Sequence, residues 1–218
     1  MNTARAVLWD MDGTLVDSEE LHWLSWRETM VAVGIPITYE QFLASFGKRN
    51  DSVLAGWLGP AATPERIEKI SDLKDALFRD LVRANGISAL PGVPSWVNRL
   101  HREGWLQAIG SSAPRRNIEV VLEALGLMER FGSIVSAEDV KRGKPDPEVY
   151  ITAASRVGAP SQRCIVVEDA VAGIEAAHSA GMRSIGVSHH GKDLPADLVI
   201  PSLDMLHPDA FDALLPIQ

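Results

Sequence analysis

Four short stretches of this chain carry side chains whose types and spacing could do chemistry. The first is Asp10-Met11-Asp12-Gly13. Two carboxylates one residue apart can share a cleft and divide the work, one as a nucleophile and one as a proton carrier. Gly13 would supply a turn whose backbone amides are open to an anion. A calcium loop begins in a similar way but needs further oxygen ligands and a closing glutamate, and the position eleven after Asp10 is Leu21. Taken alone, the stretch also reads as an ordinary Asp-Gly turn. The second is Ser111-Ser112, just before Pro114. Its hydroxyls can cap a helix or help hold a phosphate at the helix start. The third is Lys144, a solvated loop lysine unless Pro145 and Pro147 stiffen the loop enough to hold its ammonium over a site. The fourth is Glu168-Asp169, adjacent acids that either cap the following helix or hold magnesium, which takes one or two carboxylates along with phosphate and water.

Something must bring these four stretches together. Short apolar runs recur at 6–9, 106–109, 133–135, 164–167, 184–187 and 198–200, as suits strands buried on both faces of a parallel sheet. Helical patterns fall between them at about 92–103, 115–126, 146–157 and 170–180. The alternation predicts an α/β, doubly wound, Rossmann-like core. In such sheets ligands bind beyond the carboxyl ends of the strands, where all four stretches fall. Between residues 18 and 88 the alternation stops, and helix follows helix at 19–33, 39–45, 51–58 and 64–84. The expected division is a catalytic core of residues 1–17 and 89–218 with an inserted all-helical cap of residues 18–88, and a cleft between the two.

Composition narrows the classes. The 218 residues carry a net charge of −8, against the basic face that nucleic-acid binding requires. No run of 18 apolar residues predicts a membrane span, and no apolar signal core precedes Asp10. The single cysteine, Cys164, lies in an apolar run, so it reads as a small core residue of a cytoplasmic protein. The expected protein is a monomer with neither nucleic acid nor membrane as partner. Its acidity is awkward for binding phosphate unless cations, a metal among them, are concentrated locally.

Asp10-Met11-Asp12-Gly13-Thr14-Leu15-Val16-Asp17-Ser18-Glu19, then Ser111, Lys144-Pro145-Asp146-Pro147 and Val167-Glu168-Asp169 running into Ala172-Gly173-Ile174, together resemble the motifs of the haloacid dehalogenase superfamily, in its β-phosphoglucomutase-like branch. The resemblance covers essentially the whole chain. It implies that Asp10 is the nucleophile, forming an aspartyl-phosphate, and Asp12 the general acid and base. It implies Mg²⁺ held by the Asp10 carboxylate, the Asp12 backbone carbonyl and Asp169, with Glu168 assisting, and phosphoryl oxygens held by Ser111 and Lys144. An acid role for Asp12 calls for a raised pKa, expected from neighbouring carboxylates. In the cap, Arg49 and Ser52 of Gly47-Lys48-Arg49-Asn50-Asp51-Ser52 match the family's substrate-contacting loop, His22 matches a hinge histidine, and Ser112 completes the expected substrate contacts. Arg49 also reads as a surface charge, His22 as a helix-face residue, Trp23 and Trp26 as cap core, and His189-His190 as a solvated loop. The expected activity is hydrolysis of a small phosphorylated metabolite, a sugar phosphate or similar, with a β-phosphoglucomutase-type phosphomutase as the alternative. A phosphoacceptor signalling or binding domain is the reading from another class, disfavoured because a helical insert of about 70 residues covers the cleft and the set Asp10, Asp12, Ser111, Lys144 and Asp169 is complete.

Overall fold

Four residues, Ala6–Trp9, form the central strand β1, and all four are fully buried. The fold is that of a computed structural model describing residues 4–189, 191 and 193–215. After β1 come α1 (Glu19–Ala32), α2 (Tyr39–Leu43), α3 (Asn50–Leu58), α4 (Pro64–Asn85) and α5 (Val93–Arg102). Strand and helix then alternate: β2 (Leu106–Gly110), α6 (Arg115–Leu125), β3 (Ser133–Val135), α7 (Glu148–Val157), β4 (Cys164–Glu168), α8 (Val171–Ser179) and β5 (Arg183–Val187). β6 (Leu198–Ile200) and α9 (Ala210–Leu214) follow. The six strands form one parallel sheet in the order β3-β2-β1-β4-β5-β6. Among the described residues no helix is long and apolar enough to cross a membrane.

The period of two along each strand explains why the sheet needs cover on both faces. Val7 and Trp9 join Ile109, Ile165 and Val167 in an apolar cluster with Val97, Val121 and Phe211 from α5, α6 and α9. Ala6 and Leu8 point the other way, into a cluster with Tyr150 and Ala153 of α7 and Ala176 and Ala177 of α8. Cys164 belongs to this second cluster, and burial pushes its thiol up to about 12, so the core reading holds.

The helical insertion has an apolar cluster of its own, built on Trp26, Met30, Phe42, Leu54 and Ile70, with Trp23 packed partly against it. Its helix starts are written locally. Thr38 and Gln41 form a capping box at α2, and Thr63 accepts from the Arg66 amide ahead of Pro64 at α4. The 22-residue α4 serves both bodies: Ile70 lies in the insertion's cluster, whereas Phe78 and Val82 lie in that of the sheet. The two chain crossings run side by side, with Val16 bridged to Ala89 and the Leu90 amide donating to the Leu15 carbonyl at 2.9 Å.

Candidate active site

Strand register assembles the site. Trp9 pairs with Ile109 on one side and Val167 on the other, so the three strands end level. The chain emerges there as Asp10, as Gly110-Ser111 and as Glu168-Asp169, at the point where the sheet's order reverses. Lys144 arrives from the loop ahead of α7. Its Nζ donates to Asp10 Oδ1 at 2.5 Å and to Glu168 Oε1 at 2.6 Å.

The buried Glu168 is held from several directions. Tyr150 donates its hydroxyl to Oε1 at 3.1 Å, and the backbone amides of Asp169 and Ala170 donate to Oε2 at 2.8 Å each. These amides lie ahead of α8, whose N-cap is Ala170 with no side-chain cap, so the helix-capping reading of Asp169 does not hold. Gly173 on α8 makes room for Glu168, because a Cβ there would lie 1.7 Å from its Oε1. Gly13 (φ +81°) does the same for Asp169, whose Oδ2 would lie 2.3 Å from an added Cβ.

Asp10, Glu168 and Asp169 offer carboxylate oxygens within 4.8 Å of one another. Burial pushes the Asp10 carboxyl well above the ordinary carboxylate range; Lys144 opposes the shift, and Glu168 and Asp169 add to it. Burial works against a charged Lys144 too, but Asp10 and Glu168 hold its pKa well above the ordinary lysine value. Three acids around one ammonium leave uncompensated negative charge in a buried place, and the donors are hard oxygens. That chemistry fits a divalent cation such as magnesium.

Asp12, two residues on, has other company. Its Oδ1 accepts from the Ser18 hydroxyl at 2.5 Å and lies 3.2 Å from His22 Nε2. Lys74 Nζ stands 2.9 Å from His22 Nδ1. An ammonium can only donate, so Nδ1 accepts and the Nε2 proton is directed at Asp12. The expectation of a raised Asp12 pKa is therefore corrected. Burial alone would raise it, but His22, Ser18 and Lys74 outweigh burial and hold it below the ordinary value. The charges around Asp12 come from the insertion and not from the carboxylate cluster.

Between insertion and sheet lies a cavity of about 810 Å³, with Asp10, Asp12, Arg49, Ser52, Ser111, Ser112, Lys144, Glu168 and Asp169 on its walls. Of the expected site residues only His22 is off this wall, buried behind Asp12 and stacked on Phe78 with ring centroids 4.1 Å apart. Ser111 is anchored by its amide on the Val135 carbonyl, and its Oγ accepts from the Ala113 amide at 3.1 Å. Helix α6 begins later, with Pro114 at its N-cap. Arg49 is engaged already: Nη1 donates to the Ala137 and Val140 carbonyls at 2.8 and 3.2 Å, and Nη2 pairs with Asp51 at 3.0 Å. His189 is exposed, as expected, yet its Nε2 lies 2.8 Å from the Gly13 carbonyl; His190 lies outside the described residues.

Sequence reasoning passed over Lys74, Asp75, Asn117 and Tyr150. A signal existed for Lys74, which takes the apolar stripe position between Ile70 and Phe78 on α4. A charge on that face needs a buried partner. The other three look like surface or core residues until the helices are packed.

An acidic pocket at the carboxyl ends of a parallel sheet, a lysine held over it and a helical insertion above define the haloacid dehalogenase fold. The family model described as haloacid dehalogenase-like hydrolase matches residues 7–187, and the chain belongs to that family. β-Phosphoglucomutase of Bacillus subtilis strain 168 is 30% identical over 214 residues, 93% of this chain and 94% of that one. Hexitol phosphatase B of Escherichia coli K12 is 33% identical over 198 residues, 86% of each. The chain is also 34% identical over 191 residues to Protein SUPPRESSOR OF QUENCHING 1, chloroplastic, of Arabidopsis thaliana, but spans only 18% of its length. Among solved structures, CbbY from Rhodobacter sphaeroides in complex with phosphate superposes with a TM-score of 0.86 at 27% identity, covering 96% of this chain and 99% of that one.

Proposed function

We propose that this chain is a magnesium-dependent phosphatase of a small phosphorylated carbohydrate, a sugar or polyol phosphate, working through an aspartyl-phosphate on Asp10. The observation that carries the reading is the separation of two carboxylates only two residues apart. Asp10 faces the lysine and the acidic cluster; Asp12 faces a histidine and a hydroxyl. Environments that differ in this way assign different roles to like side chains.

In the first half-reaction an Asp10 carboxylate oxygen attacks phosphorus, the bond from phosphorus to the leaving oxygen breaks, and Asp12 gives that oxygen a proton. In the second, Asp12 takes a proton from water, whose oxygen attacks phosphorus, and inorganic phosphate leaves Asp10 free. Lys144 and Ser111 hold the phosphoryl oxygens through both. Magnesium, held by the Asp10 and Asp169 carboxylates and the Asp12 carbonyl with Glu168 beside them, would neutralise charge between nucleophile and phosphate. Residues 18–88 act as the cap that reads the rest of the substrate.

Phosphomutase chemistry is the second reading, supported by the likeness to β-phosphoglucomutase. Hydrolysis is preferred because the guanidinium of Arg49, the cap cation that matches the family's substrate-contacting loop, is engaged by Asp51 and two core carbonyls. The test is a panel of sugar and polyol phosphates with Mg²⁺, scoring both free phosphate and isomerised product. Free phosphate should appear, EDTA should stop its release, and added Mg²⁺ should restore it. Asp10→Asn should remain folded and lose turnover, because a carboxamide is not a competent nucleophile. An active Asp10→Asn enzyme, or full activity in EDTA, would refute the mechanism.

A further inference from the structure

Behind Asp12 runs a chain of buried polar groups that the proposed chemistry does not use. Lys74 is 2% exposed, with Nζ 5.1 Å from the Trp26 ring and 5.4 Å from that of Phe78. A buried ammonium in such surroundings needs a counter-charge and a full set of acceptors. Its polar neighbours are His22 Nδ1 at 2.9 Å and Asp75 Oδ1 at 3.1 Å.

Asp75, 6% exposed, is held from three elements. Oδ1 accepts from Lys74 and, at 2.9 Å, from Asn117 Nδ2 on the core helix α6; Oδ2 accepts from Asn50 Nδ2 at the start of α3, at 2.8 Å. Asn117 is fully buried, and its Oδ1 accepts from Arg79 Nη1 at 2.9 Å. With a carboxylate on one side and a guanidinium on the other, the amide has one orientation only. A single buried amide on the core therefore fastens two residues of α4, and one of these stands against the lysine that orients His22.

We propose that Asp75 and Asn117 are positioning residues that hold the Lys74–His22–Asp12 chain in register when the cap is seated on the core. The Asn117 bond spans the boundary between the two bodies, so it exists only while α4 lies against α6 at this level. With it in place, Asp75 fixes the lysine, the lysine occupies His22 Nδ1, and His22 presents its Nε2 proton to Asp12. Without it Asp75 is no longer held in place, the lysine can swing away from Nδ1, and of the two partners on the His22 ring only Asp12 remains to orient it. This rests on the phosphatase reading for its catalytic consequence, though not for its structural one.

The structural arm needs no substrate. In ¹⁵N-histidine-labelled protein, His22 should show Nε2 protonated and Nδ1 as a hydrogen-bonded acceptor. Asn117→Ala and the isosteric Asp75→Asn should each displace that signature. The kinetic arm uses p-nitrophenyl phosphate with Mg²⁺. Its leaving group departs without a proton, whereas hydrolysis of the phosphoenzyme needs Asp12. Both variants should keep at least the parent's pre-steady-state release of p-nitrophenol while the following steady rate falls by about ten-fold, the worth of one hydrogen bond to a charged group. KM should not rise. If the burst shrinks in proportion to the steady rate, the residues merely support the fold, and the proposal is overturned. An unchanged His22 signature in the folded Asp75→Asn protein overturns it as well. A parent that turns over no phosphate ester overturns the phosphatase reading, and the His22 signature still tests the chain.

Discussion

Asp10 and Asp12 differ in nothing but their neighbours, and the neighbours decide what each can do. Asp10 shares a buried pocket with two more acids and one ammonium, so its carboxyl resists ionising until further positive charge arrives. Asp12 is held ionised in the resting protein by His22, Ser18 and Lys74 against the cost of its burial. In the proposed mechanism this carboxylate would take a proton from water, and it would have to acquire one before serving a poor leaving group. Asp12→Asn should therefore separate the two half-reactions. With p-nitrophenyl phosphate the variant should release about one p-nitrophenol per active site and then stall. With an alkyl phosphate it should lose about 10²–10⁴-fold in rate, the usual worth of a general acid. Continuous turnover of p-nitrophenyl phosphate at the parent rate would remove Asp12 from the mechanism.

At the scale of elements, the turn after β3 is a seat for the insertion. Its Ala137 and Val140 carbonyls receive Arg49, and Asp139 at its centre ties the turn down. Asp139 accepts from Arg156 at 2.6 Å, from Arg115 at 2.8 Å, and from the Ser136 amide and hydroxyl at 2.9 and 2.7 Å. Burial alone would raise its pKa, but the Arg156 and Ser136 bonds, with the Arg115 charge, hold the carboxyl well below the usual range. A depressed folded-state pKa contributes stability that is present above the unfolded value, about 3.9, and is lost as pH falls through the folded value. Asp139→Asn should accordingly lower Tm by about 2–4 °C at pH 7, where one partly screened carboxylate is at stake. The gap to the parent should close as pH drops below about 4. A gap that widens in acid would show that Asp139 is not held as an ionised partner of the arginines.

The whole molecule has two apolar bodies joined by α4 and by a pair of crossings at Val16 and Ala89. Trp26, Met30, Phe42 and Leu54 fill one; the clusters on the two sheet faces make the other. Such a division lets part of a protein open at a lower cost than global unfolding. Leu54 is fully buried in the smaller body, so Leu54→Ala should destabilise that body by about 2–5 kcal/mol. Calorimetry should then resolve an earlier transition for the insertion, ahead of the unfolding of the sheet. A single transition shifted as a whole would mean that the insertion and the core melt as one unit.

Much of this was legible from local pattern. The strand runs, the four core helices and the run of helices between β1 and β2 announce themselves because burial on two faces and the helical period both leave one-dimensional marks. Asp10, Ser111, Lys144 and Asp169 were legible for a related reason: each follows or faces a strand end, and strand ends of a parallel sheet converge. α9, five residues near the end of the chain, was not among the elements read from the pattern. Three things waited for the tertiary structure. The sign of the Asp12 shift depended on His22 and Lys74, ten and sixty-two residues away, reaching it across a cleft. The engagement of Arg49 depended on a turn nearly ninety residues downstream. The roles of Asp75 and Asn117 exist only where α4 meets α6. Composition and period record what a residue must hide from water, whereas a hydrogen bond between distant side chains depends on direction and distance that no local pattern encodes.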